Sequence, residues 1–323
     1  MKTRSEHATV QNRTGVILIV VGFLLAGIFG YFDAREIALP FAARFVSMGI
    51  ICGGALLFWR SRQHRAKVDA EAILADDKPD VLYLRAFETD SSVFKYVGWA
   101  FLLPRLISGL ITEEEQLRDV VQPFGDLVAI GRPGENLPTP GAARLYVSNA
   151  QWQSVVSDQM RSAALVIIRA GYSTGLLWEL KQAFAMLDPT KVLILVLRMK
   201  PKFYKRFREE ASKTLGTVFP HANQFRRFGR VSGFVRFSSN WTPSVLRLHA
   251  PFLRRTVYRP YQAFFQYSLR PVFADFDLEW QAPPISVVSL VVKLIYAGLA
   301  LLLFFAALIA IDSVFSLHWF DDP

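Results

Sequence analysis

Between residues 80 and 240 the chain alternates short apolar runs with longer stretches of mixed polarity. The runs are too short for buried helices and rich in β-branched residues, which is typical of strands buried on both faces. The stretches between them carry helix signals, such as the capping-box sequence from Thr112 to Glu115. Strands alternating with helices predict an α/β fold with a doubly wound parallel sheet. The predicted strands are residues 81–87, 127–130, 164–168, 192–197 and 233–237.

The strand predicted at residues 164–168 leads into the most informative stretch of the chain. A glycine-containing turn follows it, Ser173 or Thr174 can cap a helix, and this helix carries Trp178 and Glu179 in its first turns. Open α/β sheets bind ligands at the carboxyl ends of their strands, so Glu179 is expected at the ligand edge. Two interpretations remain open for it: a catalytic carboxylate, or an acidic residue that interacts with the helix dipole.

Three longer apolar runs have the length that a membrane-spanning helix needs. A hydrophobic content of 52% and a mean hydropathy of +0.26 are high for a wholly soluble protein and point the same way. The sequence therefore predicts three transmembrane helices, two N-terminal and one C-terminal, within residues 16–32, 41–59 and 286–311.

The distribution of Lys and Arg predicts the orientation of these helices. Arg60, Arg62, Arg65 and Lys67 follow the second run, whereas the tail after the third run holds no Lys or Arg. Because positive residues remain on the cytoplasmic side, the N-terminus and residues 60–285 are predicted in the cytoplasm and the C-terminus outside. The protein is thus expected to be an integral membrane protein.

Changes in composition divide the chain into five predicted parts. In order these are a tail with a two-helix transmembrane hairpin, a stalk, the α/β domain, a basic and aromatic juxtamembrane segment, and a transmembrane helix with a short outer tail; they cover residues 1–59, 60–79, 80–240, 241–285 and 286–323. Inside the α/β domain, residues 93–111 form an apolar insert interrupted by Lys95, Pro104 and Arg105. It is either an interfacial amphipathic segment, which the charges favour, or a fourth span.

The positive charge of the chain is concentrated late in the sequence. Residues 200–270 hold 15 Lys or Arg and only Glu209 and Glu210, so they account for all of the net charge of +10. Aromatic residues are interleaved with these cations, a composition that can bind single-stranded nucleic acid or anionic lipid. Because the segment leads into an apolar run, we expect residues 200–285 to contact anionic membrane lipids in preference to nucleic acid.

Several site types find no support in the sequence. The five histidines are scattered without ligand spacing and Cys52 is the single cysteine, so neither a metal site nor a disulfide within the chain is predicted. Residues 131–134 match neither the dinucleotide-binding fingerprint nor the P-loop. We therefore expect no bound cofactor, and neither a dehydrogenase nor an NTPase.

Three motifs make residues 79–240, about half of the chain, resemble a divergent bacterial Toll/interleukin-1 receptor (TIR) domain. They are a first-strand motif, a loop after the second strand, and a Ser, Trp and Glu-Leu pattern that opens the helix after the third strand; they lie at residues 80–87, 131–135 and 172–180. The resemblance implies a flavodoxin-like fold, self-association through this domain, and, with the predicted spans, a place in the bacterial inner membrane.

The resemblance also implies roles for particular residues. TIR domains with enzymatic activity cleave the nicotinamide-ribose bond of NAD with a glutamate, whose position here is Glu179. Other members only scaffold assembly through the second-strand loop, which corresponds to Arg132, Pro133 and Gly134. The predicted substrate-binding residues are that loop together with Arg85, Phe87, Ser173 and Trp178.

Each of these assignments has a plainer alternative. Arg85 either contacts a phosphate or pairs with Glu88 or Asp90, Arg132 either holds pyrophosphate or is a solvated loop residue, and Trp178 either stacks on a base or packs in the core. Two functions follow: a membrane-tethered, nucleotide-binding signalling or defence protein that cleaves NAD as its substrate, or a non-catalytic TIR-like scaffold.

Overall fold

A computed structural model gives the structure of the chain over most of its length. The residues it describes are 14–29 except 16, 20 and 23; 45–61 except 48 and 59; 81–85; 111–131; 141–294 except 149, 228, 257, 258, 288 and 292; and 297, 298 and 305. These residues fall into two compact units: the described residues up to Arg247 form the first, and those from Leu248 onward, with Ile111, form the second.

The first unit is built on a mixed sheet of eight strands in its described residues. The strands are β1 (Val81–Leu84), β2 (Leu127–Gly131), β3 (Ala143–Tyr146), β4 (Leu165–Arg169), β5 (Val192–Met199), β6 (Arg226–Arg227), β7 (Val231–Phe237) and β8 (Pro243–Arg247). Their order across the sheet is β3-β2-β1-β4-β5-β7-β6, and β8 also pairs with β7.

Besides the helical residues described within 14–29, 45–61 and 287–305, four helices lie between or after the described strands of the first unit and two short helices lie in the second. They are α1 (Glu113–Val121), α2 (Trp152–Ser162), α3 (Thr174–Met186) and α4 (Pro201–Leu215), then α5 (Gln262–Ser268) and α6 (Arg270–Asp275). The predicted α/β alternation is confirmed, because α1 precedes β2, α2 precedes β4, α3 precedes β5 and α4 follows it.

The parallel half of the sheet forms the core. Strands β1 to β5 all run parallel, with Val81 opposite Leu127 on one side and Leu165 on the other. All residues of β1 and β2 are buried, as the continuous apolar runs predicted. Such burial on both faces is typical of strands in the interior of a parallel sheet.

The other half of the sheet differs from the prediction. The strand predicted at residues 233–237 lies within β7, but β7 pairs antiparallel with β5, so the sheet is mixed and not purely parallel. The reason is a hairpin: β6 also pairs antiparallel with β7, and Gly229 between them adopts a φ of +67°, a conformation that favours glycine. The chain reverses there before it reaches β5.

The predicted transmembrane organisation is wrong. Within the described residues no helix is both long enough and apolar enough to cross a bilayer, which overturns the spans at 16–32, 41–59 and 286–311 and the localisation as an integral membrane protein. An apolar run of spanning length does not by itself distinguish a membrane helix from a helix that packs on protein.

Described residues of these runs contact other parts of the chain. Helical residues before 30 and after 44 approach so closely that a Cβ added to Gly15 would lie 2.7 Å from the Phe58 backbone nitrogen. In the second unit, Lys293, which lies in the run at 286–311, donates from Nζ to the carbonyl oxygens of Phe252 (2.8 Å) and Arg255 (2.5 Å).

The basic and aromatic residues of the second unit contact one another. The rings of Tyr267 and Trp280 meet edge to face at 5.2 Å, and the guanidinium of Arg270 lies over the indole of Trp280 at 5.0 Å. Trp280 also donates its indole N–H to the Gln266 carbonyl oxygen at 2.8 Å. The expected binding of anionic lipid by residues 200–285 and the expected self-association remain predictions.

Candidate functional site

The strand order identifies the edge of the sheet where a ligand is expected. From β1 the chain builds β2 and β3 on one side and β4 and β5 on the other. In open α/β sheets, ligands bind outside the carboxyl ends of the strands where the order reverses in this way. Arg85 follows β1 at this edge, and Arg169 ends β4.

The capping box that opens α1 delivers two carboxylates to this edge. Thr112 Oγ1 accepts from the Glu115 N–H at 3.1 Å, and Glu115 Oε2 accepts from the Thr112 N–H at 2.8 Å, as the sequence predicted. Glu113 and Glu114 therefore occupy the first turn of α1, where the helix dipole favours negative charge.

Glu114 is at the centre of a buried ion network. Its Oε1 lies 2.9 Å from Arg85 Nε, and its Oε2 lies 2.7 Å from Nη2 of Arg144, which projects from β3. The side chains of Glu114 and Arg144 are 6% and 1% exposed. Arg85 thus pairs with a carboxylate of α1, and the network links the strand ends of β1 and β3 to α1.

Gly141 explains how the chain enters β3 so close to α1. Its φ is +145°, and a Cβ built on it would overlap the Cβ of Glu114. Only glycine fits both the backbone conformation and the space. The residue that leads into β3 therefore lies against the buried ion network.

Glu113 forms a second, more open ion cluster. Its Oε2 lies 3.1 Å from Arg169 Nη2, and its Oε1 lies 3.7 Å from Nη1 of Arg198, near the end of β5. Arg169 also interacts electrostatically with the hydroxyl of Tyr83, and burial raises the pKa of this hydroxyl, which therefore stays neutral. The carboxyl ends of β4 and β5 thus each present one arginine.

Ser173 and Trp178 have structural contacts in α3. Ser173 is the N-cap residue, and its hydroxyl oxygen accepts from the Leu176 N–H at 3.4 Å. Trp178 packs against the core and meets Trp152 of α2 edge to face, with ring centroids 4.8 Å apart. Of the two alternatives for Trp178, these contacts favour the core.

Glu179 lies in a different environment from the two glutamates of α1. It shares a helical stripe with the buried residues Leu176, Leu180 and Ala183, and its side chain is half-buried. Within the described part of the chain it has no hydrogen bond or salt bridge. Burial raises the pKa of the Glu179 carboxyl to about 8. The effect of the helix dipole is concentrated in the first turn of a helix, and Glu179 lies beyond the first turn of α3. This position disfavours the dipole interpretation.

The remaining predicted site residues cannot be located. Phe87, Arg132, Pro133 and Gly134 lie outside the described residues, as do Glu88 and Asp90 and all but the last residue of the apolar insert. Among the residues that are described, no group of three or more His, Cys, Asp or Glu could hold a metal ion.

Sequence reasoning missed five charged residues that the fold brings to this edge. They are Glu113, Glu114, Arg144, Arg169 and Arg198. A signal was present for Arg169, because it ends an apolar strand in the same way as Arg85 follows one. Arg144 gave none, since β3 was hidden after a loop rich in Gly and Pro.

Comparison with protein-family models, with curated proteins and with solved structures finds no match for this chain. The resemblance to TIR domains therefore rests on the sequence motifs alone. The charged residues that bear on function lie at the carboxyl edge of the sheet and on α3.

Proposed function

We propose that the first unit, which contains the sheet, cleaves the nicotinamide-ribose bond of NAD, with Glu179 as the catalytic carboxylate. The observation that supports this proposal is the environment of Glu179: half-buried, on the apolar stripe of α3, with no polar partner within the described residues. Burying a carboxyl without a partner costs free energy, and groups whose pKa is shifted by burial concentrate at functional sites. The resemblance to TIR domains supplies the bond to be cleaved.

The chemistry requires a negative charge beside a developing cation. When the C1′–N1 bond breaks, its electron pair moves to the nicotinamide nitrogen and neutralises the ring, while C1′ becomes oxocarbenium-like. A carboxylate in a water-poor pocket stabilises this centre strongly. Water then adds to C1′ and loses a proton, which leaves nicotinamide and ADP-ribose as products.

The raised pKa of Glu179 has a consequence for this role. With a pKa of about 8 the carboxyl is mostly protonated at neutral pH, and only about a tenth is ionised at pH 7. The nicotinamide ring of NAD is positively charged, so its approach favours the ionised form and lowers the pKa. We therefore expect kcat/KM to rise with pH and to level off above about 8.

The decisive experiment is nicotinamide release from NAD by the full chain, with and without crowding agents. Glu179→Gln keeps the shape but not the charge, and should lower the rate by about 100-fold or more. Glu210→Gln, an exposed glutamate on α4, is the matched control and should behave as the wild type. Equal release from the wild type and from Glu179→Gln would refute the role of Glu179. No release from the wild type under any condition would favour the non-catalytic scaffold.

A further inference from the structure

We propose that Arg169 and Arg198 form a binding site for a phosphoryl group, at which the carboxylate of Glu113 is the internal competitor. The two arginines come from β4 and β5, which are adjacent parallel strands, and reach the same carboxylate at the carboxyl edge of the sheet. A carboxylate held between two guanidinium groups occupies the place that a phosphate would take. Both anions accept hydrogen bonds from the same guanidinium N–H groups.

The distances distinguish this cluster from the buried one. Charge-assisted N–H to carboxylate bonds are usually about 2.7–2.9 Å long, and both contacts of Glu114 are in that range. The contacts of Glu113 are 3.1 and 3.7 Å, and its side chain is 27% exposed. Glu113 is therefore loosely held and open to replacement by a stronger anion, whereas Glu114 is not.

The backbone at Arg198 is built to direct its side chain to this place. Its φ is +52°, which is strained for a residue other than glycine, and the pairing of β5 with β7 shifts register between Val196 and Met199. Its N–H donates to Ser232 Oγ at 2.9 Å, and its carbonyl oxygen accepts from Arg230 Nη1 at 3.2 Å. Ser232 in β7 and Arg230, which precedes β7, thus hold the backbone of Arg198 in this strained conformation.

Arg169 is fixed in another way. It ends β4, and its guanidinium interacts electrostatically with the buried hydroxyl of Tyr83 on β1. Its side chain is only 19% exposed, and Nη2 donates to Glu113 Oε2 at 3.1 Å. A pre-positioned arginine loses less conformational freedom when it binds an anion.

The ligand class that fits is a nucleotide with a pyrophosphate group. This identification rests on the proposed function, since NAD carries such a group. The binding step itself does not depend on cleavage, so we test it with ADP and with inorganic pyrophosphate, neither of which contains the nicotinamide-ribose bond.

Calorimetric titration of the full chain tests the proposal. Arg169→Gln and Arg198→Gln should each weaken ADP binding by about 10- to 100-fold, the loss of one hydrogen-bonded charge. Arg161→Gln is the matched control, because Arg161 is an exposed arginine paired with Asp158 on α2, and it should leave binding unchanged. Arg198→Lys should weaken binding less than Arg198→Gln, which separates loss of charge from loss of fold.

Glu113→Gln gives the sharpest result, because a structural role and a competing role predict opposite signs. Removing a negative charge about 4 Å from the ligand should tighten binding of ADP and pyrophosphate by roughly fivefold. Weaker binding by Glu113→Gln, or unchanged binding by both Arg→Gln variants, would overturn the proposal. ADP binding with these responses but without nicotinamide release would leave this site intact and refute only NAD cleavage.

Discussion

Glu114 on α1 and Glu179 on α3 are a buried and a half-buried glutamate of the first unit, and they differ in whether the carboxyl group has a polar partner. Glu114 on α1 is 6% exposed and lies between two arginines at 2.7 and 2.9 Å. Glu179 on α3 is half-buried and has no hydrogen-bonded or ionic partner in the portion of the chain that is described. Both helices follow strands or loops that end at the same edge of the sheet.

The difference separates a paired carboxyl group from an unpaired one. Desolvation disfavours a buried carboxylate, and at Glu114 the two guanidinium groups offset this cost while joining α1 to two strands. At Glu179 nothing described offsets it, and the pKa rises to about 8. A carboxyl that titrates near neutral pH can respond to a cationic substrate, whereas one locked in an ion pair cannot.

The largest effect is expected when the paired site is broken. Glu114→Ala leaves Arg85 and Arg144 without the carboxylate between them, and removing one partner of a buried pair costs about 3–5 kcal/mol. The free energy of unfolding from urea titrations measures this loss. Glu210→Ala, at an exposed position, should change it by less than about 0.5 kcal/mol. A loss below about 1 kcal/mol for Glu114→Ala would mean that the network is not buried in solution.

A smaller, pH-dependent effect is expected at the unpaired site. The unfolded chain ionises Glu179 near its usual pKa of 4.5, but the folded chain does so only near 8. Between these values the unfolded state releases a proton that the folded state keeps, so the stability contribution present at low pH is lost as pH rises. Glu179→Gln removes this dependence.

The free energies of unfolding of the wild type and Glu179→Gln should therefore diverge as the pH rises. We expect Glu179→Gln to become the more stable of the two by on the order of 1–3 kcal/mol above pH 8, an amount reduced by the partial exposure of the side chain. Urea titrations at intervals from pH 5 to 9 measure it. Parallel stability curves for the two proteins would show that Glu179 ionises normally.

The helix that carries Glu179 can be weakened without touching its carboxyl. Ser173→Ala removes the N-cap bond to Leu176 and should cost about 1 kcal/mol. Ser157→Ala serves as the control, because Ser157 is a partly exposed residue in the middle of α2 whose hydroxyl donates to the Gln153 carbonyl oxygen of its own helix. Thermal unfolding compares them, and an equal melting temperature for the two variants would contradict the capping role.

The smallest effect is expected for an exposed ion pair as short as the buried one. Arg161 and Asp158 on α2 are 2.7 Å apart, but their side chains are 61% and 69% exposed. Asp158→Ala should change the free energy of unfolding by no more than about 0.5 kcal/mol. Together with Glu114→Ala, this variant tests whether burial rather than distance decides the value of a pair; a loss similar to that of Glu114→Ala would refute it.

The sequence predicted the local features of the fold well. Short apolar runs identified β1, β2, β4 and β5, and side-chain patterns identified the capping box and a Ser or Thr cap for α3. These features depend on residues close together in the chain. The position of Glu179 on a helix that follows β4 was likewise predicted.

The features that failed depend on distant contacts or on the surroundings. β3 has only two fully buried residues, so it lacks an apolar run, and the direction of β7 depends on the hairpin at Gly229. The pairing of Arg144 with Glu114 joins residues that no local pattern connects. The transmembrane prediction failed because apolar length alone does not specify what surrounds a helix.

The central position of β1 also determines when this strand can become ordered during synthesis. Val81 pairs with Leu127 and Leu165, and both partners are translated after it. At about 5–20 residues per second, roughly 4–17 s separate Val81 from Leu165 at the ribosome. Both edges of this apolar strand are open on the nascent chain until β2 follows, and one edge stays open until β4 follows, so we expect the strand to need a chaperone during this interval.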